Sequence, residues 1–591
     1  MMMVLKIFSL LQFFTLFYLF TITFASTEEA TALLKWKSTF KNQNNSLLAS
    51  WQPSSDACSD WNNLTGTIPP EIGNLTNLIY LDLSINQISG KIPPQIGSLA
   101  RLHTLYIFDN NLNGSILEEI GYLSSLTGLA LSTNSLNGSI PPSLGNLKNL
   151  NYLKLFNNQL SDPIPSELEN LKNLTYLGLF NNQLSGPIPK EIPSSFCNLT
   201  LLKFLHLSRN NLKGKILQCL GNISGLRYLM MSHNNFSGEL PSSICNLTST
   251  QSLDLGRNNL MGAIPQCFGN MSGHLEVLDM KHNNLSGTLP TTCSIGSALR
   301  SFNLHGNKLE GKIPRSLKNC QRLEVVDLGD NLLNDTFPMW LGTLPELRVL
   351  SLRSNKFHGP IRTSGTMRTI DQTLKEPSYL GDSYYNDSII VSTKGLEREL
   401  GRILTIFTTI DLSNNKFEGY IPSIMGDLLA LRALNLSHNK LQGHIPPLFR
   451  SLSSVESLDL SGNHLVGEIP PQFASLTSLV VLNLSYNHLE GCIPQGNQFH
   501  TFEKYSYEGN DGLHGFPLSK GWGNDGHDSV SEKTYAGSAL DEESNSEFLN
   551  DIWKPALMGY GTGLCIGLSI IYILISTGNM KWLERIIEEQ D

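Results

Sequence analysis

The sequence predicts an α/β repeat solenoid, a curved superhelix with a parallel β-sheet on its concave face, joined to one transmembrane helix. Three observations indicate this fold. Asparagine recurs at a step of mostly 24 residues, and each of these asparagines lies in the pattern L-x-x-L-x-L-x-x-N-x-L-x-G-x-I-P. One such unit cannot bury its own leucines, so neighbouring units must stack. The sixteen asparagines are Asn86, Asn110, Asn134, Asn158, Asn182, Asn210, Asn234, Asn258, Asn283, Asn307, Asn331, Asn355, Asn415, Asn439, Asn463 and Asn487.

Each residue type in the repeat has a physical role. In the first clear copy, Leu81 and Leu83 alternate inward on a short strand. Asn86 is placed to satisfy buried backbone groups where the chain turns, and Gly90 with Pro93 shape the return path. Stacking the strands about 4.8 Å apart buries a continuous leucine column. We therefore expect sixteen full leucine-rich repeats.

The amino-terminal segments direct the chain to the secretory pathway. Residues 1–25 are predicted to be a signal peptide, because Lys6 precedes an apolar run and a cut would follow Ala25. An uncleaved anchor is the alternative. Residues 26–61 are expected to form an amino-terminal cap, since Ser26 and Glu29 belong to a capping-box pattern before an amphipathic helix.

The repeats fall into two blocks separated by an insert. Residues 62–361 hold a partial first repeat and twelve full repeats, and residues 404–495 hold four more. Between them the period is lost over residues 362–403, which are polar and rich in tyrosine. We interpret this segment as a non-repeat island, with a disordered surface loop as the alternative.

The carboxy-terminal segments predict a membrane anchor. Residues 496–555 are interpreted as a carboxy-terminal cap followed by an acidic juxtamembrane stalk. Residues 556–577 carry no charge and would span about 33 Å as a helix, enough to cross a bilayer. Residues 578–591 would remain as a short cytoplasmic tail. The signal and the helix together predict a single-pass type I protein with its amino-terminal region outside the cell.

Composition and motifs argue against several other classes of protein. A formal net charge of −9 without a dense Lys/Arg run disfavours nucleic-acid binding. No G-x-x-x-x-G-K-[ST], H-E-x-x-H or G-x-S-x-G pattern occurs, so we predict no catalytic residue, no cofactor and no metal site. Nine cysteines are too sparse for a small disulfide scaffold.

Six cysteines stand about one repeat apart and are predicted to form clips between neighbouring repeats. Positions one turn apart in a solenoid lie within disulfide reach, and secretion supplies an oxidising environment. Buried free thiols are the alternative. The pairs are Cys197 with Cys219, Cys245 with Cys267, and Cys293 with Cys320, while Cys58, Cys492 and Cys565 lack an obvious partner.

Sixteen N-x-[ST] sequons predict a glycoprotein. Two of them, Asn435 and Asn483, fall in a Leu-rich strand, where a glycan would block the concave face. The others are Asn44, Asn63, Asn74, Asn113, Asn137, Asn173, Asn198, Asn222, Asn235, Asn246, Asn270, Asn284, Asn334 and Asn386.

Aromatic residues at outward strand positions are the candidate ligand-binding residues. Exposed rings in register would form an apolar ladder suited to burying a protein anchor. Alternatively, the rings cover one another or record duplication. The candidates are Tyr106, Phe108, Lys154, Phe156, Phe180 and His206.

Glycines in the predicted membrane helix are the candidate helix-packing residues. Gly559, Gly563 and Gly567 form a G-x-x-x-G-x-x-x-G stripe that would let another helix approach closely.

Three stretches resemble the Cf class of plant leaf-mould resistance receptor-like proteins: Met1–Ser50, Asn334–Leu350 and Glu547–Asn579. The resemblance implies a plasma-membrane immune receptor that senses a pathogen effector, or the damage it causes, and triggers cell death. It also implies three partners: an extracellular protein or peptide ligand, an adaptor leucine-rich-repeat receptor kinase bound through the transmembrane helix, and an inducible co-receptor kinase of the somatic embryogenesis receptor kinase type.

Three alternative interpretations remain open from the sequence. The chain could be a developmental peptide receptor-like protein, or a secreted apoplastic inhibitor of a wall-degrading enzyme. It could also be a truncated, non-functional copy. Cys58 lacks the second cysteine that the family's cap carries, and His514 and Trp522 stand where the family has cysteines.

Overall fold

The computed structural model describes residues 64–188, 196–291, 293–362, 385, 387–393, 396–401, 403–496 and 498–518. All of them belong to the first of two units into which the chain divides, Met1–Gly521. The predicted signal peptide, amino-terminal cap, stalk, transmembrane helix and tail lie outside the described residues. No helix within the described ranges has the length and hydropathy that a membrane span requires.

The central element is a parallel sheet to which each repeat contributes a three-residue strand. Within the described residues it has sixteen strands, arranged in chain order. The middle residue of each strand is apolar and points into the core; it is leucine in most strands, and Leu105, Leu129 and Leu153 are fully buried. The strands are Tyr80–Asp82, Thr104–Tyr106, Gly128–Ala130, Tyr152–Lys154, Tyr176–Gly178, Phe204–His206, Tyr228–Met230, Ser252–Asp254, Val277–Asp279, Ser301–Asn303, Val325–Asp327, Val349–Ser351, Thr409–Asp411, Ala433–Asn435, Ser457–Asp459 and Val481–Asn483.

The recurring asparagines form a hydrogen-bonded ladder beneath this sheet. The Asn110 side-chain oxygen accepts a hydrogen bond from the Ile88 amide at 2.9 Å, and its nitrogen donates to the Leu83 carbonyl at 2.8 Å. The same contacts recur along the array and extend to Asn510, one step beyond the sixteen predicted repeats. The ladder thus satisfies backbone groups that stacking would otherwise leave buried without partners.

A second strand follows the ladder asparagine in most repeats. These strands form three parallel groups of five, seven and six within the described residues. They are Thr65–Thr67, Gln87–Gly90, Asn111–Ser115, Ser135–Gly138 and Gln159–Leu160; Ser185–Gly186, Asn211–Gly214, Asn235–Glu239, Asn259–Ala263, Asn284–Thr288, Lys308–Gly311 and Leu332–Leu333; and His358–Pro360, Lys416–Tyr420, Lys440–Gly443, His464–Gly467, His488–Cys492 and Gly512–His514.

The helical part of the fold differs from the α/β expectation, because all helices in the described residues are 3₁₀ helices. A five-residue 3₁₀ helix rises about 10 Å, against about 7.5 Å for an α-helix, so it carries the return path further per residue. The helices are Pro70–Asn74, Pro94–Ser98, Glu118–Tyr122, Pro142–Asn146, Ser166–Asn170, Phe196–Asn198, Gln218–Asn222, Ser242–Asn246, Gln266–Gly273, Arg315–Asn319, Met339–Thr343, Ser423–Asp427, Pro447–Ser451, Pro471–Ser475, Phe499–Thr501 and Lys504–Ser506.

The island does not interrupt the central sheet. Val349 pairs with Thr409 in the same parallel register that joins consecutive repeats, although 60 residues separate the two. The described part of the island contains an antiparallel hairpin, Ile389–Thr393 with Leu396–Leu400. The insert is therefore added to a continuous array.

Candidate ligand-binding surface

The concave wall of the early repeats carries one row of aromatic rings at the predicted positions. Phe180 stacks on Phe156 with ring centroids 4.3 Å apart, and on His206 at 3.9 Å. Tyr106 meets Phe108 edge to face at 6.3 Å. The rings of Phe156, Phe180 and His206 therefore form one continuous stack. Tyr106 also meets Tyr80 edge to face at 6.1 Å, so Tyr80, Tyr106 and Phe108 form a separate group. Ala130 stands beside Tyr106 in the sheet register and carries no ring.

A second row of rings was not identified from the sequence. Tyr176 lies 5.5 Å from Phe204, which stacks on Tyr228 at 4.6 Å. The Lys154 amino group lies 5.4 Å from the centre of the Tyr176 ring, within reach of a cation–π contact. The sequence held a signal for this row, since an aromatic residue directly precedes the central strand leucine in these consecutive repeats.

Gly178 shows how tightly the two rows pack. A Cβ atom at this position would lie 2.8 Å from the Tyr176 ring and 3.3 Å from the Phe156 ring. The two rows of rings thus converge over this glycine. Burial lowers the pKa of His206 to about 4, so its imidazole is neutral and stacks as an uncharged ring.

Further along the array, the described part of the island packs on the concave wall. The Tyr385 hydroxyl donates a hydrogen bond to Asp279 at 2.8 Å, and its ring packs against Met230 and Val277. Ile389 and Ile403 form a second buried cluster with Val325 and Val349. The island segment therefore covers the middle repeats and leaves the aromatic layer on its amino-terminal side.

Ion pairs join the island to the same wall. Glu399 contacts Arg257 at 2.6 Å and Lys281 at 3.4 Å, and Asp387 contacts Arg300 at 2.7 Å. Burial opposes the charge of Lys281, yet the carboxylates of Asp279, Asp254 and Glu399 raise its pKa above the ordinary value. These charges are paired where the island excludes water.

A buried histidine completes this polar region. The two imidazole nitrogens of His305 lie 3.1 Å from Asp327 and 2.9 Å from Asp330, and Arg353 contacts Asp330 at 2.9 Å. Burial disfavours the imidazolium, but the two carboxylates outweigh it and raise the pKa of His305 to about 9. The ring therefore carries a charge at neutral pH.

The last repeats present a different surface. A pocket of 260 Å³ lies between the final strand of the central sheet, Val481–Asn483, and the segment that follows it. Val480, Tyr486 and Tyr505 line this pocket and are substantially exposed. The Tyr486 hydroxyl donates a hydrogen bond to Glu508 at 3.0 Å.

Three disulfides join neighbouring repeats in the middle of the array. The Cα atoms of Cys197 and Cys219 are 5.6 Å apart, those of Cys245 and Cys267 are 5.7 Å apart, and those of Cys293 and Cys320 are 6.4 Å apart. Cys492 is an exposed free thiol whose sulfur lies 3.1 Å from His514. Cys58 and Cys565 lie outside the described residues.

The sequon asparagines divide into two groups by exposure. Nine have exposed side chains: Asn74, Asn113, Asn137, Asn173, Asn222, Asn235, Asn246, Asn284 and Asn334. Asn198 and Asn483 are half-buried, and Asn435 is buried and accepts a hydrogen bond from the Ser437 amide. Asn44, Asn63 and Asn386, the Asn270 side chain and the glycine stripe Gly559, Gly563 and Gly567 lie outside the described residues.

Comparison with protein families identifies the repeats. Leucine-rich-repeat models match residues 77–99, 125–147, 149–171, 173–199, 201–223, 225–247, 249–271, 274–294, 297–357, 407–465 and 478–498. A model of the leucine-rich-repeat N-terminal domain matches residues 26–65.

Solved structures with a similar fold include plant receptors. The Arabidopsis thaliana receptor kinase GASSHO1/SCHENGEN3, in complex with CASPARIAN STRIP INTEGRITY FACTOR 2, is 32% identical with a TM-score of 0.61, covering 78% of this chain and 56% of that one. The peptide hormone receptor RGFR1 in complex with RGF2 is 29% identical with a TM-score of 0.59, covering 77% of each chain. The repeats and this likeness define a leucine-rich-repeat solenoid of the plant receptor type.

Sequence relatives narrow the class further. Receptor-like protein Cf-9 of Solanum pimpinellifolium is 61% identical over 224 residues, 37% of this chain and 25% of that protein. Receptor-like protein 34 of Arabidopsis thaliana is 59% identical over 199 residues, 34% of this chain and 20% of that protein. The match thus spans about a quarter of the length of these relatives. The chain is a plant leucine-rich-repeat receptor-like protein of the Cf class.

Proposed function

We propose that the chain is a plasma-membrane receptor-like protein of plant defence. It binds a pathogen-derived ligand or a guarded host protein on its concave wall and signals through partner receptor kinases. The observation that carries this proposal is the double row of rings between Tyr106 and Tyr228, which lies beside the part of the wall covered by the island. The similarity of the chain to receptor-like protein Cf-9 supports the assignment to defence.

The ring layer suits a protein ligand because its rings are half-exposed. The stacked faces already contact one another, so a partner would cover the ring edges and the tyrosine hydroxyl groups of this layer. Tyrosine combines a large apolar area with one polar group and is enriched where binding energy concentrates. Lys154 is the cation within this layer.

Leaf co-expression with a panel of secreted pathogen effectors tests the proposal. We expect one effector to cause necrosis with the unaltered chain and not with Phe180→Ala, which removes the central ring of the stack. Tyr122→Ala is the matched control, because Tyr122 is 62% exposed but lies on the helix Glu118–Tyr122, away from the concave strands. Necrosis that survives Phe180→Ala would contradict a role for the ring layer.

A developmental peptide receptor is the second candidate function. The likeness to RGFR1, described as a peptide hormone receptor, favours it. A co-purified endogenous peptide, with no response to any effector, would support this function over defence. Release of the chain from membranes without detergent would instead favour an apoplastic inhibitor.

The co-receptor kinase is proposed to dock on the last repeats. The exposed sequons described above end at Asn334, and the described residues beyond it hold only Asn435 and Asn483, which are not freely exposed. This part of the chain also presents exposed apolar side chains around the 260 Å³ pocket, including Val480 and Tyr505. A glycan-free surface with apolar residues is suited to protein contact.

An added glycan tests this docking surface. The double substitution His488→Asn with Glu490→Ser creates a sequon on an exposed strand of the last repeats. We expect it to abolish ligand-induced co-immunoprecipitation with the co-receptor kinase. Gln87→Asn adds a sequon at the equivalent exposed position of an early repeat and should leave the association intact. Equal association of both variants would refute the surface.

The adaptor kinase is proposed to bind through the glycine stripe of the predicted membrane helix. Small residues at this spacing let two helices approach closely. Gly559→Leu and Gly563→Leu are expected to weaken co-immunoprecipitation of the adaptor. Unchanged recovery with both variants would exclude this packing mode.

A further inference from the structure

We propose that the island is held on the concave wall by a proton-dependent contact, in which the neighbouring carboxyl groups of Asp254 and Asp279 hold one proton while Tyr385 covers them. The contact closes in acid and loosens as both carboxyl groups ionise. The argument rests on the convergence of the two carboxyl groups, on what covers them, and on the charges that face them.

The two carboxyl groups converge on one space. Asp254 and Asp279 are register partners on adjacent strands of the central sheet. A Cβ atom built on Gly256 would lie 3.4 Å from one Asp254 oxygen and 3.1 Å from one Asp279 oxygen. Both side chains are at most 9% exposed. Two carboxylates this close and this dry repel each other, so retention of one proton is favoured.

The island provides the cover over this pair. Tyr385 bonds to Asp279 through its hydroxyl group, and its ring packs on Met230 and Val277. Met230 and Asp279 are the register partners of Asp254 on its two sides, so the tyrosine spans the strand that carries Asp254. Lifting the island would expose the pair to water, which stabilises the ionised form.

The surrounding charges leave Asp254 as the central titrating group between pH 5 and 8. Burial and nearby cations lower the pKa of His233 and His282 to about 4, so both rings are neutral in this range. Lys281 keeps its charge because its pKa is raised. Burial also raises the pKa of Glu324, which faces Arg300. The remaining groups at this contact are Arg257, Tyr385, Asp387 and Glu399.

The direction of the effect follows from linkage. Burial, followed by the charge of Asp279, raises the pKa of Asp254 from 3.8 to about 7. With the island lifted, burial decreases and this pKa falls. The docked state therefore binds more protons, and docking is strongest below the pKa of the open state and weakens as pH rises to about 7. Each unit between the two pKa values changes the docking equilibrium about tenfold.

Hydrogen exchange on the full chain in detergent micelles tests the contact. We expect amides of the two hairpin strands, Ile389–Thr393 and Leu396–Leu400, corrected for intrinsic exchange, to be at least about tenfold better protected at pH 5.5 than at pH 7.5. Asp254→Asn should keep high protection at both pH values, because the amide cannot ionise. Amides of the strand Ser457–Asp459 provide the internal reference and should not respond.

Two controls and one further variant make the outcome decisive. Asp411→Asn removes another buried carboxyl group with a raised pKa, and Glu324→Gln removes the acid facing Arg300; both should retain the pH dependence. Tyr385→Phe leaves the sheet intact and should lower hairpin protection at pH 5.5 several-fold. Equal protection of the unaltered chain at both pH values would overturn the proposal. So would an unchanged pH dependence in Asp254→Asn, or full protection in Tyr385→Phe.

Discussion

At the scale of single residues, the ladder asparagines explain why the repeat tolerates so little variation at one position. Asn258 accepts a hydrogen bond from the Phe236 amide at 3.0 Å and donates to the carbonyls of Met231 and Leu255, each at 3.1 Å. No other side chain of similar size offers both an acceptor and two donors in one planar group. The motif therefore requires an amide at this position.

We predict that Asn258→Ala lowers the free energy of unfolding by about 2–3 kcal/mol, because buried backbone groups lose their partners. Asn259 is the next residue in the chain, but its side chain is exposed. Asn259→Ala should therefore change stability by less than about 0.5 kcal/mol. Urea denaturation of the three proteins measures the difference. Equal losses in the two variants would show that the ladder contributes little to stability.

His305 makes stability depend on pH in a defined direction. Its pKa of about 9 in the folded chain exceeds the ordinary value of 6.5. Its contribution is therefore complete below pH 6.5 and is lost as pH rises through about 9. We predict that His305→Gln lowers the thermal midpoint at pH 6 and has much less effect at pH 9.5. A midpoint difference that stayed constant over this range would contradict the assignment.

At the scale of elements, the disulfides join adjacent repeats in the region that carries the island contacts. Each closes a short loop between consecutive units, so its main effect is to restrict the unfolded chain. We predict that replacing Cys245 and Cys267 together by serine lowers the free energy of unfolding by about 3 kcal/mol, measured with urea. Reductant should shift the unaltered chain in the same direction. A serine variant as stable as the unaltered chain would contradict this effect.

The sequence allows the strands to be predicted far better than the contacts of the island. The 24-residue period predicts the positions of Leu81, Asn86 and their equivalents, because the same residue types bury the core and bond the backbone in every repeat. Tyr385 and Glu399 meet partners more than one hundred residues away, and no periodic signal encodes those distances. The 3₁₀ conformation of the helices also depends on the length of the return path. Pattern alone does not distinguish it from a short α-helix.

The sequence predicts one row of the candidate site and not the other, again because only some positions stand out from the repeat pattern. Phe156 and Phe180 stand out because most repeats have a small residue after the last strand leucine. Tyr176 and Phe204 each stand directly before the central strand leucine, and the residue type at this position varies among the repeats. Their alignment is therefore apparent only when the strands are paired. Like-charged Asp254 and Asp279 in register were a signal available in the sequence.

At the scale of the whole described array, Val349 pairs directly with Thr409. The central sheet is therefore continuous across the island, and we expect it to form without the island. Asn355 and Asn415 are 60 residues apart, where most neighbours are separated by 24. Removing residues 363–398 restores the usual spacing. The central sheet keeps its neighbours on both sides of the deletion, so we expect the array to remain continuous.

We predict that this deletion variant folds with an unchanged circular-dichroism spectrum in the strand region and a thermal midpoint lowered by at most about 5 °C. Deleting residues 137–148, half of a regular repeat, is the control and should prevent folding, because the leucines and the ladder lose register. Aggregation of the first variant would show that the island is needed for assembly.

The order of the central sheet also bears on how such genes change. Each unit contacts only the units before and after it, so nothing in the architecture fixes how many are present. Unequal recombination between coding cassettes of one unit would then lengthen or shorten the protein without disturbing its hydrophobic interior. Binding residues that belong to a few repeats, such as the tyrosines and phenylalanines of the early array, would be gained or lost together with the gene segment that encodes those repeats.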